Sequence, residues 1–231
     1  MKTKIKMTGR ILVASSVLAL AGVAHAAAIP VFNTGVDGSG TPLSDGTIGD
    51  PHYSLVSVVS GTTDILIRTS VGGYPVPPWI GDDSLSTWIG PNNDSIADGD
   101  VGHYDYQTTF DMTGLDPTTA SLTGQWSADD EGLDILINGV STGNTAAGLD
   151  TWSPFTISSG FVDGLNTLDF IVNNDAGPTG VRVEMTGSAV DPPPVPEPAS
   201  FLLLGGGLAA LGMFRRKSQS IRGGTARRVS E

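Results

Sequence analysis

The sequence has no cysteine among its 231 residues, which excludes a disulfide framework and any thiolate metal site. Cations are nearly as scarce where a partner would meet them. Lys2, Lys4, Lys6 and Arg10 open the chain, and Arg215, Arg216, Lys217, Arg222, Arg227 and Arg228 close it. Between residues 27 and 198 only Arg68 and Arg182 stand against 23 acids, a surplus of 21 negative charges. That field repels phosphate backbones and excludes a nucleic-acid partner. Histidine is limited to His25, His52 and His103. No Gly-x-Ser-x-Gly elbow, His-Glu-x-x-His helix or Gly-x-x-x-x-Gly-Lys phosphate loop occurs, so the common nucleophilic, zinc and nucleotide chemistries lack their residues. The sequence reads as non-catalytic.

What is present begins at the ends. Four cations, an apolar run from Ile11 to Val23 and the triplet Ala24-His25-Ala26 have the layout of a secretory signal peptide over residues 1–26. The small residues Ala24 and Ala26 place cleavage after Ala26. A 13-residue run is too short for a stable span, and the absence of paired arginines points to the general secretion machinery. At the other end, residues 191–198 hold five prolines in eight positions, an extended spacer of about 25 Å at roughly 3.1 Å per residue. Residues 199–214 are uncharged and end at Arg215-Arg216-Lys217. They predict a short transmembrane helix of about 24 Å, close to the roughly 30 Å of a hydrocarbon core. The basic tail, 215–231, then stays cytoplasmic by the positive-inside rule.

Val195-Pro196-Glu197-Pro198, the apolar segment and the Arg215-Arg216-Lys217 cluster together resemble the PEP-CTERM sorting signal of Gram-negative bacteria. The tail Ser218–Glu231 is longer than such signals usually carry. The resemblance implies export, transient anchoring in the inner membrane facing the periplasm, and processing near the Pro-Glu-Pro element by exosortase. It also implies a final place at the cell surface or in the extracellular matrix, alongside exopolysaccharide and biofilm.

Residues 27–190 fit one domain. Period-two alternation recurs in them: Tyr104, Tyr106, Thr108 and Phe110; Leu122, Gly124, Trp126 and Ala128; Leu133, Ile135 and Ile137; Leu168, Phe170 and Val172; Val181, Val183 and Met185. Tyr53–Val59 and Asp64–Thr69 are further strand candidates, Asn138-Gly139 marks a hairpin, and 70–103 predicts a long irregular excursion. Short alternating strands between turn clusters predict an all-β sandwich or barrel. The order of Gly124-Gln-Trp-Ser-Ala-Asp-Asp, Ile135-Leu-Ile-Asn-Gly, Trp152-Ser-Pro-Phe-Thr-Ile and Gly180-Val-Arg-Val-Glu resembles the galactose-binding-like jelly roll of sugar-binding domains. That resemblance implies two packed antiparallel sheets with variable loops at their ends.

Binding candidates follow from residue type. Trp79, Trp88 and Trp152 lie in loops or at a strand start, where an aromatic face can stack on a sugar ring. The alternatives are that Trp79 and Trp88 pin the excursion onto the sheet and that Trp152 packs in the core. Trp126 shares a face with Leu122 and belongs to the core. Asp129, Asp130, Glu131 and Asp134 form the densest acidic group, with hard oxygen donors suited to a structural Ca²⁺; Asp94, Asp98 and Asp100 form a second. The alternative is that these acids are turn residues facing solvent. Three functions stay open: a matrix protein, a lectin-like module for a defined glycan, and a glycoside hydrolase with a facing carboxylate pair.

Overall fold

The computed structural model describes residues 25–59, 63–92, 99–191 and 203–212. The chain divides into two units, Met1–Pro192 and Pro193–Glu231. Eleven strands build the first: β1 (Ala26–Ala28), β2 (Tyr53–Ser57), β3 (Ile65–Arg68), β4 (Trp88–Pro91), β5 (Gly102–Asp111), β6 (Asp116–Asp129), β7 (Glu131–Ile137), β8 (Val140–Ser141), β9 (Ser153–Ile157), β10 (Leu165–Asn174) and β11 (Gly180–Val190). One sheet runs β3-β4-β11-β6-β9, with β1 also on β11; the other runs β2-β5-β10-β7-β8. All pairings are antiparallel. From β5 to β7, and again from β9 to β11, the chain changes sheet at each strand. This is an all-β sandwich, as the alternation predicts, with the two packed antiparallel sheets that the jelly-roll resemblance implies.

Alternation puts the core between the sheets. Tyr104, Tyr106, Thr108 and Phe110 are buried while Asp105, Gln107 and Thr109 point outward. Trp126 on β6 reaches across to Phe170 on β10, ring centroids 5.5 Å apart, and Phe155 on β9 meets the same ring at 6.2 Å. Trp126 is fully buried, as expected for a core residue. Asn138 (φ 51°) and Gly139 (φ 77°) make the β7–β8 hairpin turn, where positive φ at both central residues matches the twist of the strands.

Two local expectations change. Leu133 is not on the inward face with Ile135 and Ile137: β7 slips register against β10 there, and Gly132 takes the inward place opposite Val172. The Trp126 ring requires this, because a Cβ on Gly132 would lie 2.2 Å from Trp126 Cη2. The excursion 70–103 contains a strand, β4, buried at all four positions. Burial on both sides leaves no alternation to read.

In the second unit, residues 203–212 are helical, about 15 Å long at 1.5 Å per residue. No helix among the described residues is long and apolar enough to cross a membrane. The other residues of the expected 199–214 span lie outside the described ones. So do Ala24, the motif Val195, Pro196, Glu197 and Pro198, and the cluster Arg215, Arg216 and Lys217.

Candidate functional site

The outward face of the six-stranded sheet is where this domain concentrates its polar chemistry. Register sets its rows: Gly180 beside Asp129, Arg182 beside Ser127, Glu184 beside Gln125, and Thr186 beside Thr123. The 70–87 segment folds over the first two rows and, through Ser86, onto Glu184 of the third, leaving Gln125, Thr123 and Thr186 accessible.

Over the first row sit Val76, Trp79 and Trp88, with Ile80 and Leu149 against them. Trp79 and Trp88 lie with ring centroids 4.4 Å apart. They are 2% and 0% exposed, so neither offers a face to a sugar. The ligand role expected for them is corrected to the pinning role. Gly180 is part of the fit, since a Cβ there would approach Trp79 Cη2 to 2.8 Å. Trp79 Nε1 donates to Asp129 Oδ2 at 2.7 Å, and Trp88 Nε1 donates to the Ile80 carbonyl at 2.9 Å. Burial pushes the Asp129 carboxyl up to about 7, against the pull of the Trp79 hydrogen bond.

Over the second row lies Arg182, fully buried and one of only two cations in the domain. Its Nε donates to Ser86 Oγ at 2.7 Å and its Nη1 to the Gly81 carbonyl at 2.5 Å. Nη2 pairs with Asp83 Oδ2 at 2.9 Å and Glu184 Oε1 at 3.4 Å. Ser86 Oγ also donates to Glu184 Oε1, and Gln125 Nε2 to Glu184 Oε2, each at 2.9 Å. Trp152 is half-buried, with the guanidinium carbon 5.0 Å from its ring centroid. Of the three tryptophans considered for a ligand, Trp152 alone keeps partial exposure. The central role of Arg182 was not read from the sequence. Its signal was a lone cation at an outward position of an alternating strand in an acidic domain.

The last two rows form a groove of ≈ 370 Å³, lined by Asn33, Leu85, Thr123, Gln125, Glu184 and Thr186 with Gly124 and Met185. Amide, carboxylate and hydroxyl groups around an exposed Leu85 suit a polyhydroxylated ligand, which offers both donors and acceptors. Beneath the groove Gly124 fits β6 closely to its neighbours on the core side: a Cβ there would lie 2.3 Å from the Glu184 carbonyl oxygen and 2.7 Å from Phe155 Cζ.

The acidic groups do not assemble. Asp129 bonds Trp79, while Asp130 Oδ2 accepts the Asp175 amide at 2.5 Å. Glu131 is exposed, and Asp134 accepts the amides of Ile135 and Gly143 and the Ser141 hydroxyl. Among the described residues no three His, Asp or Glu side chains are grouped to hold a metal ion, and Asp129, Asp130 and Asp134 are engaged by separate partners. In the second group, Asp94 and Asp98 lie outside the described residues. On the opposite sheet, Asp105 on β5 and Asp169 on β10 share the outward face. Burial, with the Asp169 charge, raises the Asp105 carboxyl to about 6, and Gln107 Nε2 donates to Asp169 Oδ1 at 2.7 Å.

The molecule is thus a two-sheet β-sandwich followed by a separate C-terminal unit. Residues 194–217 match the PEP-CTERM protein-sorting motif. The chain therefore carries a sorting signal of this type, which marks it for export. No curated protein matches the chain. Among solved structures, CBM35 from Paenibacillus barcinonensis is similar at 17% identity and a TM-score of 0.34, covering 61% of this chain and 98% of its own. The CBM36-1 domain of a multidomain xylanase from the hindgut metagenome of Trinervitermes trinervoides is similar at 14% identity and a TM-score of 0.31, covering 59% and 94%. At these scores neither similarity bears on ligand or mechanism.

Proposed function

We propose that this chain is an exported, non-catalytic surface or matrix protein, sorted through its PEP-CTERM signal and associated with exopolysaccharide or biofilm. The observation that carries the reading is the sorting motif at 194–217, on a chain whose body is an acidic sandwich and whose first 26 residues have the layout of a leader. Secretion machinery exports the chain, the C-terminal segment holds it in the inner membrane facing the periplasm, and exosortase cuts near Pro196-Glu197-Pro198. Mass spectrometry of the surface fraction tests this. Wild-type protein there lacks residues 199–231, and Glu197→Ala leaves full-length chain in the membrane fraction. Full-length wild-type protein at the surface would overturn the reading.

A lectin-like second reading is favoured by the half-exposed Trp152 and the polar groove beside it. Affinity electrophoresis through the organism's own exopolysaccharide decides it. Retardation that falls at least fivefold in Trp152→Ala and Gln125→Ala supports a defined site. Equal mobility of wild type and both variants refutes it.

A further inference from the structure

We infer that the sandwich itself sets a time limit on removal of the leader: once β1 zips onto β11, the bond after Ala26 is closed to a protease. The inference rests on the export reading and concerns its order of events.

Ala26, Ala27 and Ala28 lie opposite Val190, Ala189 and Ser188. The Asp191 amide donates to the His25 carbonyl at 3.0 Å, and the Ile29 amide donates to the Gly187 carbonyl at 3.0 Å. In an antiparallel ladder these two bonds flank one hydrogen-bonded pair, which is Ala27 with Ala189. The nitrogen of the scissile bond belongs to Ala27, so its N–H is committed to the sheet. Downstream, Ile29 is buried in the core and Thr34 is fastened to β11 through Val183. The segment cannot lift away without losing these contacts. A protease that draws its substrate out as an extended strand needs those same backbone groups.

The partner of β1 sets the timing. Its strand partner is β11, the last strand, and the residues it meets are 188–190. The leader bond is therefore free until the whole domain has crossed the membrane. It closes when the final three residues before the spacer arrive. Residues 25 and 191, at the two ends of the sandwich, are themselves hydrogen-bonded. A chain that misses the interval keeps its leader.

The test is an order-of-mixing experiment on the full chain in detergent micelles with purified signal peptidase. Enzyme present during refolding cuts after Ala26, and enzyme added after refolding cuts at least tenfold more slowly. A variant with six Gly/Ser residues inserted between Ala28 and Ile29 keeps the cleavage sequence but moves it off the sheet. Pre-folded, that variant is cut at the rate of the unfolded chain. Equal rates for wild type before and after folding overturn the inference, as does an insertion variant that stays slow. If the unfolded chain is not cut after Ala26 at all, the leader reading fails instead.

Discussion

Removing Arg182 is the sharpest perturbation of this domain. The guanidinium is fully buried and its partners are unequal. The Asp83 side chain is 44% exposed and can rehydrate, whereas that of Glu184 is 11% exposed and cannot. In Arg182→Met, Glu184 keeps the Ser86 and Gln125 donors but loses its countercharge. Stranding one partner of a buried pair typically destabilises by about 3–5 kcal/mol. The two surviving donors and the exposed Asp83 place this case at the lower end, about 3 kcal/mol. For a domain of this size that lowers Tm by roughly 6–12 °C. Thermal unfolding followed by circular dichroism at pH 7 measures it. Arg182→Met/Glu184→Gln removes both charges and is expected to recover more than half of the loss. A single-variant loss below about 1 kcal/mol, or a double variant no better than the single, refutes the argument that burial of the pair governs this face.

Asp129 gives the pH signature. Its folded carboxyl, at about 7, lies above the ordinary value of 3.8, so the folded state holds this proton longer than the unfolded one. Stability from this group is full below pH 4, falls as pH rises to 7, and stays low above. Asp129→Asn keeps an acceptor for Trp79 and removes the charge. Its advantage over wild type should grow from near zero at pH 4 to about 2 kcal/mol at pH 8, half the value the full shift implies. A pH-independent difference contradicts the assignment. Tyr106 is buried and its hydroxyl has no hydrogen-bond partner among the described residues. Tyr106→Phe is therefore expected to be neutral or to stabilise by up to about 1 kcal/mol in urea unfolding; a loss above 1 kcal/mol shows a partner that the static structure lacks.

The strands that alternate were legible in the sequence because one face of each is wet. Tyr104-Asp105-Tyr106-Gln107 on β5 and Leu122-Thr123-Gly124-Gln125 on β6 declare their faces outright. Trp88–Pro91 did not, since the second face is roofed by the 70–87 segment and the period vanishes. Leu133 misled for another reason: the pattern is correct, but the volume of Trp126 claims the inward place and pushes β7 out of step. The candidate site was half legible. Trp79, Trp88 and Trp152 look alike as candidates in the sequence and differ only in what folds over them. The acids of 129–134 cluster along the chain, yet alternation and a turn send them in different directions.

The place of β11 has a mechanical consequence for any pull applied at residue 191. This strand leads directly to residue 191 and lies inside its sheet, with β6 along one side and β1 and β4 along the other. Tension applied at the tail along the strand is shared by the whole ladder from Gly180 to Val190. It does not unbutton the pairs in turn. A pull at residue 191 along the strand therefore loads the backbone hydrogen bonds of β11 in shear, since they run perpendicular to it.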